Sequence, residues 1–167
     1  GEVQTVCVNM GSPELVPKNI PIDSNLDRFI SEDVEVDGKV YKVTGVSMGN
    51  PHAVTFIDDT DSLEIEKIGP KFETHKLFPK KINTEFAQIV DRNTVKMRVW
   101  ERGAGETLAC GTGACATMVA ANLNGLVDDE ADLVLLGGTL HIKWDKNENK
   151  VYMTGPAKFV FDGTITL

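Results

Sequence analysis

The sequence predicts an α+β fold in which a mostly antiparallel sheet is wrapped around one central helix. Short runs rich in β-branched residues, punctuated by tight turns, recur along nearly the whole chain. Against them stands one alanine-rich segment, 111–123, without charge or proline, whose small side chains suit burial against a sheet better than exposure on a surface. No internal repeat, low-complexity tract or linker divides the 167 residues, so one domain with one core is expected over 1–167.

Residues 3–9 read as the first strand. Segments 34–36 and 40–46 flank Asp37-Gly38, a pair suited to the positive φ angles of a two-residue hairpin turn. After Gly49-Asn50-Pro51 comes a strand over 53–57, and Pro51 holds Asn50 extended, so the polar side chains here are presented from a turn. Segment 62–67 reads as a short helix, capped by Asp61 or Ser62 and stopped at Gly69-Pro70. Strands 86–90 and 95–100 form a hairpin around Asp91-Arg92-Asn93, and the central helix 111–123 closes at Asn124-Gly125. Strands 133–136, 140–144, 151–153 and 158–165 then make an antiparallel finish.

Lys+Arg number 17 against 25 Asp+Glu, a net charge of −8 that repels phosphate backbones and anionic lipid. Nucleic acid and membrane surfaces are therefore not expected as partners. The uncharged stretch 107–127 has the length of a membrane span, but its glycines and asparagines argue against one. No basic region leading into an apolar segment opens the sequence, so a cytoplasmic location is expected. The three cysteines, Cys7, Cys110 and Cys115, lack Cys-x-x-Cys spacing and suit reduced thiols rather than a disulfide framework or a zinc site. No metal and no cofactor is expected.

The segment from Glu101 to Ala116 carries the most chemistry. Cys110 followed by Gly111-Thr112-Gly113 stands at a helix start, where the first turn leaves backbone N–H groups without partners. Such donors, with the positive end of the helix dipole, suit a carboxylate and favour thiolate over thiol, so Cys110 reads as an activated thiol. Cys115 and Cys7 read as buried small hydrophobes. Glu101-Arg102 is either a solvated ion pair or part of a site, His52 either a loop histidine or a catalytic group, and Asn83 either a turn residue or a ligand contact. Phosphate binding finds no support, because neither the Gly-Lys-Ser/Thr ending of a P-loop nor a Rossmann fingerprint in its context is present.

Gly49-Asn50-Pro51-His52-Ala53-Val54, Asn83 before its strand, and the block Glu101 to Ala116 together resemble the C-terminal half of the diaminopimelate epimerase family. Val8-Asn9-Met10-Gly11-Ser12-Pro13 and Tyr152-Met153-Thr154-Gly155-Pro156-Ala157 extend the resemblance to nearly the whole chain. It implies that family's fold and a cofactor-independent epimerase that inverts one α-carbon of LL-diaminopimelate with two cysteines on opposite faces of the substrate. By the resemblance, Cys110 is one of the two acid/base thiols, and the backbone N–H groups of Gly111 and Thr112 hold the reacting carboxylate. Asn50 and Asn83 bind polar ends of the substrate, Arg102 grips the distal carboxylate, and Glu101 and His52 orient the reacting centre. The family's other cysteine lies in an N-terminal half that has no counterpart here. The chain alone is thus expected to be inactive, its last strand over 158–167 to pack with that other half, and its assembly to be a homodimer. Competing readings are a related racemase acting on proline or another small amino acid, a non-catalytic amino-acid-binding module, and a thiol hydrolase using Cys110 and His52.

Overall fold

The structure, a computed structural model, describes residues 3–166. Its β-rich segments join in one mixed sheet built from β1 (Thr5–Asn9), β2 (Glu32–Val36), β3 (Lys39–Ser47), β4 (Pro51–Phe56), β5 (Asn83–Asp91), β6 (Thr94–Glu101), β7 (Gly105–Thr107), β8 (Glu130–Leu135), β9 (Gly138–Asp145) and β10 (Lys150–Pro156). Two α-helices, α1 (Ile65–Glu73) and α2 (Gly111–Leu123), complete the elements, with a 3-10 turn at Pro17–Asn19. The strand order is β1-β10-β9-β8-β6-β5-β4-β3-β2, with β7 paired to β6.

Most neighbours are antiparallel, but β4 pairs β5 and β6 pairs β8 in parallel. Each parallel pair spans a helix, α1 in the first case and α2 in the second, because a chain that re-enters a sheet in the same direction needs a crossover. The Asp37-Gly38 turn forms as expected, with φ of 55° and 75° at its two central residues.

Strand alternation sorts the core onto two faces. Val54 and Ala87 pack with α2, whereas Ala53 and Phe86 pack with Ile65 and Phe72 of α1. Helix α2 touches β3, β4, β5, β6, β8, β9 and β10, so the sheet curls around it. Residues 113–121 of α2 are all buried, in keeping with its uncharged sequence. No helix among the described residues is long and apolar enough to cross a membrane.

Three elements depart from expectation. Helix α1 starts at Ile65 rather than at Ser62, has Glu64 at its N-cap without a side-chain cap bond, and runs through Pro70. An internal proline costs about 3 kcal/mol. Here the helix continues because Phe72, beyond the proline, is fully buried edge-on to both Tyr41 and Phe86, a gain of similar size. Residues 158–165 form no strand, and Phe159, Val160, Phe161 and Ile165 are exposed. The neighbours of β10 run out beside its end, β1 starting at Thr5 opposite Pro156, so the chain beyond has no strand alongside to pair with; Leu167, the last residue of the expected segment, lies outside the described residues. Cys7 is exposed rather than buried, because β1 is an edge strand whose residues all face solvent. Replacing Phe72 by Ala should cost about 3–5 kcal/mol, read as a lower urea midpoint at unchanged slope.

Candidate active site

Cys110 is the N-cap of α2, extended at φ −132° and ψ 106°, and its Sγ accepts a hydrogen bond from the Gly113 N–H at 3.3 Å. Sulfur thus occupies the place usually taken by the oxygen of Ser, Thr or Asp. The Ala114 N–H begins the helical ladder by donating to the Cys110 carbonyl. The N–H groups of Gly111 and Thr112 are left without a partner among the described residues, as the geometry of a helix start requires. The Thr112 hydroxyl lies 3.5 Å from the same sulfur.

Beneath this turn lies a buried acid that was not among the expected site residues. His52 and Glu85 are both fully buried, with Nδ1 and Oε1 2.6 Å apart, and the other ring nitrogen of His52 lies 3.0 Å from Asn50 Oδ1. Registry explains the meeting: β4 and β5 run in parallel with Val54 opposite Glu85, and alternation puts His52 and Glu85 on the face that α2 covers. The second carboxylate oxygen of Glu85 is buried with no hydrogen-bond partner among the described residues. A Cβ at position 113 would stand 2.7 Å from Glu85 Oε1 and 3.2 Å from Cys110 Sγ. Glycine is needed there to admit the protein's own carboxylate, not only a ligand.

Electrostatics correct one expectation. Burial pushes the Cys110 thiol above its ordinary range, and Glu85 and Glu101 push it further, against the Thr112 hydroxyl and the Gly113 amide. The positive end of the helix is outweighed there, so the shift runs toward the thiol rather than the thiolate. Burial likewise raises the Glu85 carboxyl, opposed by His52.

The Glu101-Arg102 loop forms the other side. Glu101 ends β6 and accepts a hydrogen bond from the Thr107 hydroxyl. Asn83 is buried and braces the loop, its Oδ1 accepting from the Arg102 backbone N–H at 2.8 Å and its Nδ2 donating to the Pro51 carbonyl at 3.0 Å. One N–H and one lone pair remain on that amide. The exposed Arg102 guanidinium donates to the Lys80 carbonyl. Glu73 of α1 anchors the loop from behind, receiving hydrogen bonds from Trp100 Nε1, Lys81 Nζ and the Gly103 N–H. Arg98 grips both oxygens of Glu106 at 2.7 and 3.0 Å and so locks β7 to β6 ahead of Cys110.

Cys110, Asn50, His52, Asn83, Glu101, Arg102, Gly111 and Thr112 thus belong to one connected region, joined through Glu85, Asn83 and the loop. Glu73, Glu85 and Arg98, which position them, were missed. The available signal for Glu85 was an acid at the inward-alternating position just ahead of the apolar pair Phe86-Ala87.

The sequence profile of diaminopimelate epimerase matches residues 44–160. The chain is 59% identical to the diaminopimelate epimerase of Acetivibrio thermocellus over 100% of its own length and 60% of that protein's. It is 53% identical to the Desulfovibrio desulfuricans enzyme of the same name, over 98% of this chain and 59% of the relative. It thus spans well under two thirds of the relatives' length. Among solved structures, a hydroxyproline epimerase from Agrobacterium vitis superposes with a TM-score of 0.64 at 12% identity, covering 93% of this chain and 50% of that one. That likeness is one of fold.

Cys115, fully buried in α2, has its thiol pushed up to about 12, chiefly by burial. Its neutral form is favoured in the fold, so its contribution is complete below the unfolded thiol's range near ~8.5 and is lost as pH rises toward the folded value. Stability should therefore fall by up to about 1.4 kcal/mol per pH unit through that window. Cys115→Ala should flatten this decline in denaturation curves taken across alkaline pH.

Proposed function

The chain belongs to the diaminopimelate epimerase family, and on that premise we propose that it supplies one side of a two-thiol site that converts LL-2,6-diaminopimelate to the meso isomer. The observation that carries the reading is the sulfur of Cys110 capping α2 beside two unpartnered N–H groups. Those amides, of Gly111 and Thr112, bind the α-carboxylate and stabilise the negative charge that grows on it as the α-proton leaves. Cys110 exchanges a proton with the α-carbon on one face. A thiolate on the opposite face takes the proton that departs when Cys110 delivers one, and the roles reverse for the other direction. No redox change occurs, and no atom other than hydrogen is transferred.

An amino-acid α-proton is far less acidic than a thiol, so the barrier falls only where the carbanionic centre meets prearranged donors. Arg102, with one guanidinium nitrogen tied to Lys80, keeps the rest of its planar fork for the distal carboxylate. Asn50 and Asn83 bind polar ends of the substrate, and His52 and Glu101 orient the reacting centre. The second thiol is contributed from outside these 167 residues, in the part of the relatives' length that this chain does not span. The exposed apolar side chains of Phe159, Val160, Phe161 and Ile165 support the reading that the tail packs with that part.

In the full-length protein, Cys110→Ala should lower kcat/KM for epimerisation by at least about 10²–10⁴-fold. Stereoinversion is followed by chiral chromatography, and solvent deuterium entering the α-position by mass spectrometry. The 167-residue chain should not invert the substrate. Undiminished turnover by Cys110→Ala would remove the thiol role, and inversion by the chain alone would remove the two-sided one.

A further inference from the structure

Glu85 is a buried carboxylate for which the proposed chemistry has no use. One of its oxygens is bound to His52 at 2.6 Å, and the other has no partner among the described residues. Isolated burial of a charged group is costly, and an orphaned oxygen more so, so a merely structural acid would be expected to be paired at both ends. Its place is specific. It stands on β5 under the first turn of α2, where Gly113 lacks the Cβ that would meet both Glu85 Oε1 and Cys110 Sγ. The sulfur and the carboxylate therefore confront each other across the bare backbone of one glycine.

We infer that Glu85 is a positioning residue of the site: it fixes the ring of His52 and, from beneath Gly113, faces the Cys110 sulfur and governs its reactivity. The inference rests on the epimerase reading but concerns a group that reading does not need. His52 Nδ1 lies against Glu85 Oε1 and its other ring nitrogen against Asn50 Oδ1, so the ring is held from both nitrogens. Where Glu85 is ionised beside His52, its charge disfavours a second negative charge on the facing sulfur. The groups facing Cys110 are Glu85 from β5, Glu101 from the end of β6, Thr112 and Cys115 from α2, and His52 from β4 through Glu85. Of the two acids, Glu85 is fully buried and cannot be screened by solvent, whereas Glu101 is half-exposed and engaged by Thr107.

The consequence is mechanistic. A resting thiol is ready to deliver a proton, and it becomes a base only when the substrate's ammonium group brings positive charge into the site. The thiol is then ionised where the substrate is bound, and is protected from alkylation and oxidation when the site is empty.

The test is the pH dependence of Cys110 alkylation by iodoacetamide in the full-length protein, resolved by peptide mapping so that other thiols do not interfere. Glu85→Gln, which keeps shape and removes charge, should move the Cys110 inflection down by about one pH unit and raise its alkylation rate at neutral pH about tenfold. Glu85→Asp, which restores the charge, should return the inflection toward wild type. In turnover, Glu85→Gln should lower kcat more than it changes KM and shift the pH profile. An unchanged alkylation profile in Glu85→Gln would overturn the inference, and so would an Asp variant indistinguishable from Gln. The alkylation arm needs no catalysis, so absence of epimerase activity in the wild type would defeat the proposed function without deciding this one.

Discussion

Sinking a helix into a sheet just behind its first residues forces a choice about its amide hydrogens, and this constraint shapes the rest of the site. Helix α2 is embedded in the curl of the sheet from Gly113 onward, while Gly111 and Thr112 at its start stay half-buried at the edge of that packing, with their N–H groups among those a helix start leaves unpaired. A Ser or Asp cap would satisfy one of them strongly. Cys110 satisfies the Gly113 N–H weakly, through sulfur, and leaves those of Gly111 and Thr112 open. The arrangement gives up capping stability of about 1 kcal/mol and keeps an anion site with a titratable group inside it. The small side chains of α2 let it sit deep enough for strands on both sides to contribute to its N-terminus.

The surrounding acids and donors are held by devices that stand apart from the chemistry. Glu73 reaches from α1 to hold Trp100 and Gly103, Arg98 clamps Glu106, and Asn83 ties the Arg102 backbone to the start of β4. Each buried polar group spans two elements. The Glu101-Arg102 loop is therefore fixed from three directions, and its orientation depends on side chains from opposite faces of the sheet. Preorganisation of this kind lowers the cost of ordering donors around a ligand.

Much of this was legible in local sequence. The Asp37-Gly38 turn, the extent of α2 and the burial of Cys115 follow from φ preferences, caps and side-chain size, which act over a few residues. The parallel pairs β4·β5 and β6·β8 depend on which strand a crossover returns to, and nothing local encodes that. Strand signal alone made residues 158–165 look like a strand, but a strand exists only where a neighbour runs alongside, and β1 begins opposite Pro156. Pro70 looked like a helix stop because the compensating burial of Phe72 is tertiary. Glu85 was hidden for the same reason. On its strand it shares a face with Asn83 and Ala87, and only the parallel register with β4 makes it the partner of His52.

The sign of the Cys110 shift illustrates why one local rule does not fix a site's chemistry. A helix N-terminus favours an anion by typically 0.3–1 kcal/mol, less than one pKa unit. Desolvation and two nearby carboxylates act in the opposite direction, and the result is a thiol raised above its ordinary range. Under the proposed function an ammonium beside the sulfur would act against Glu85 and Glu101, while the amides of Gly111 and Thr112 would take up the carboxylate. A zwitterion carries both charges in one molecule. On that reading the ligand would itself bias the sulfur toward the anion, and a net charge of −8 on the chain would not oppose its approach as it would that of a simple anion.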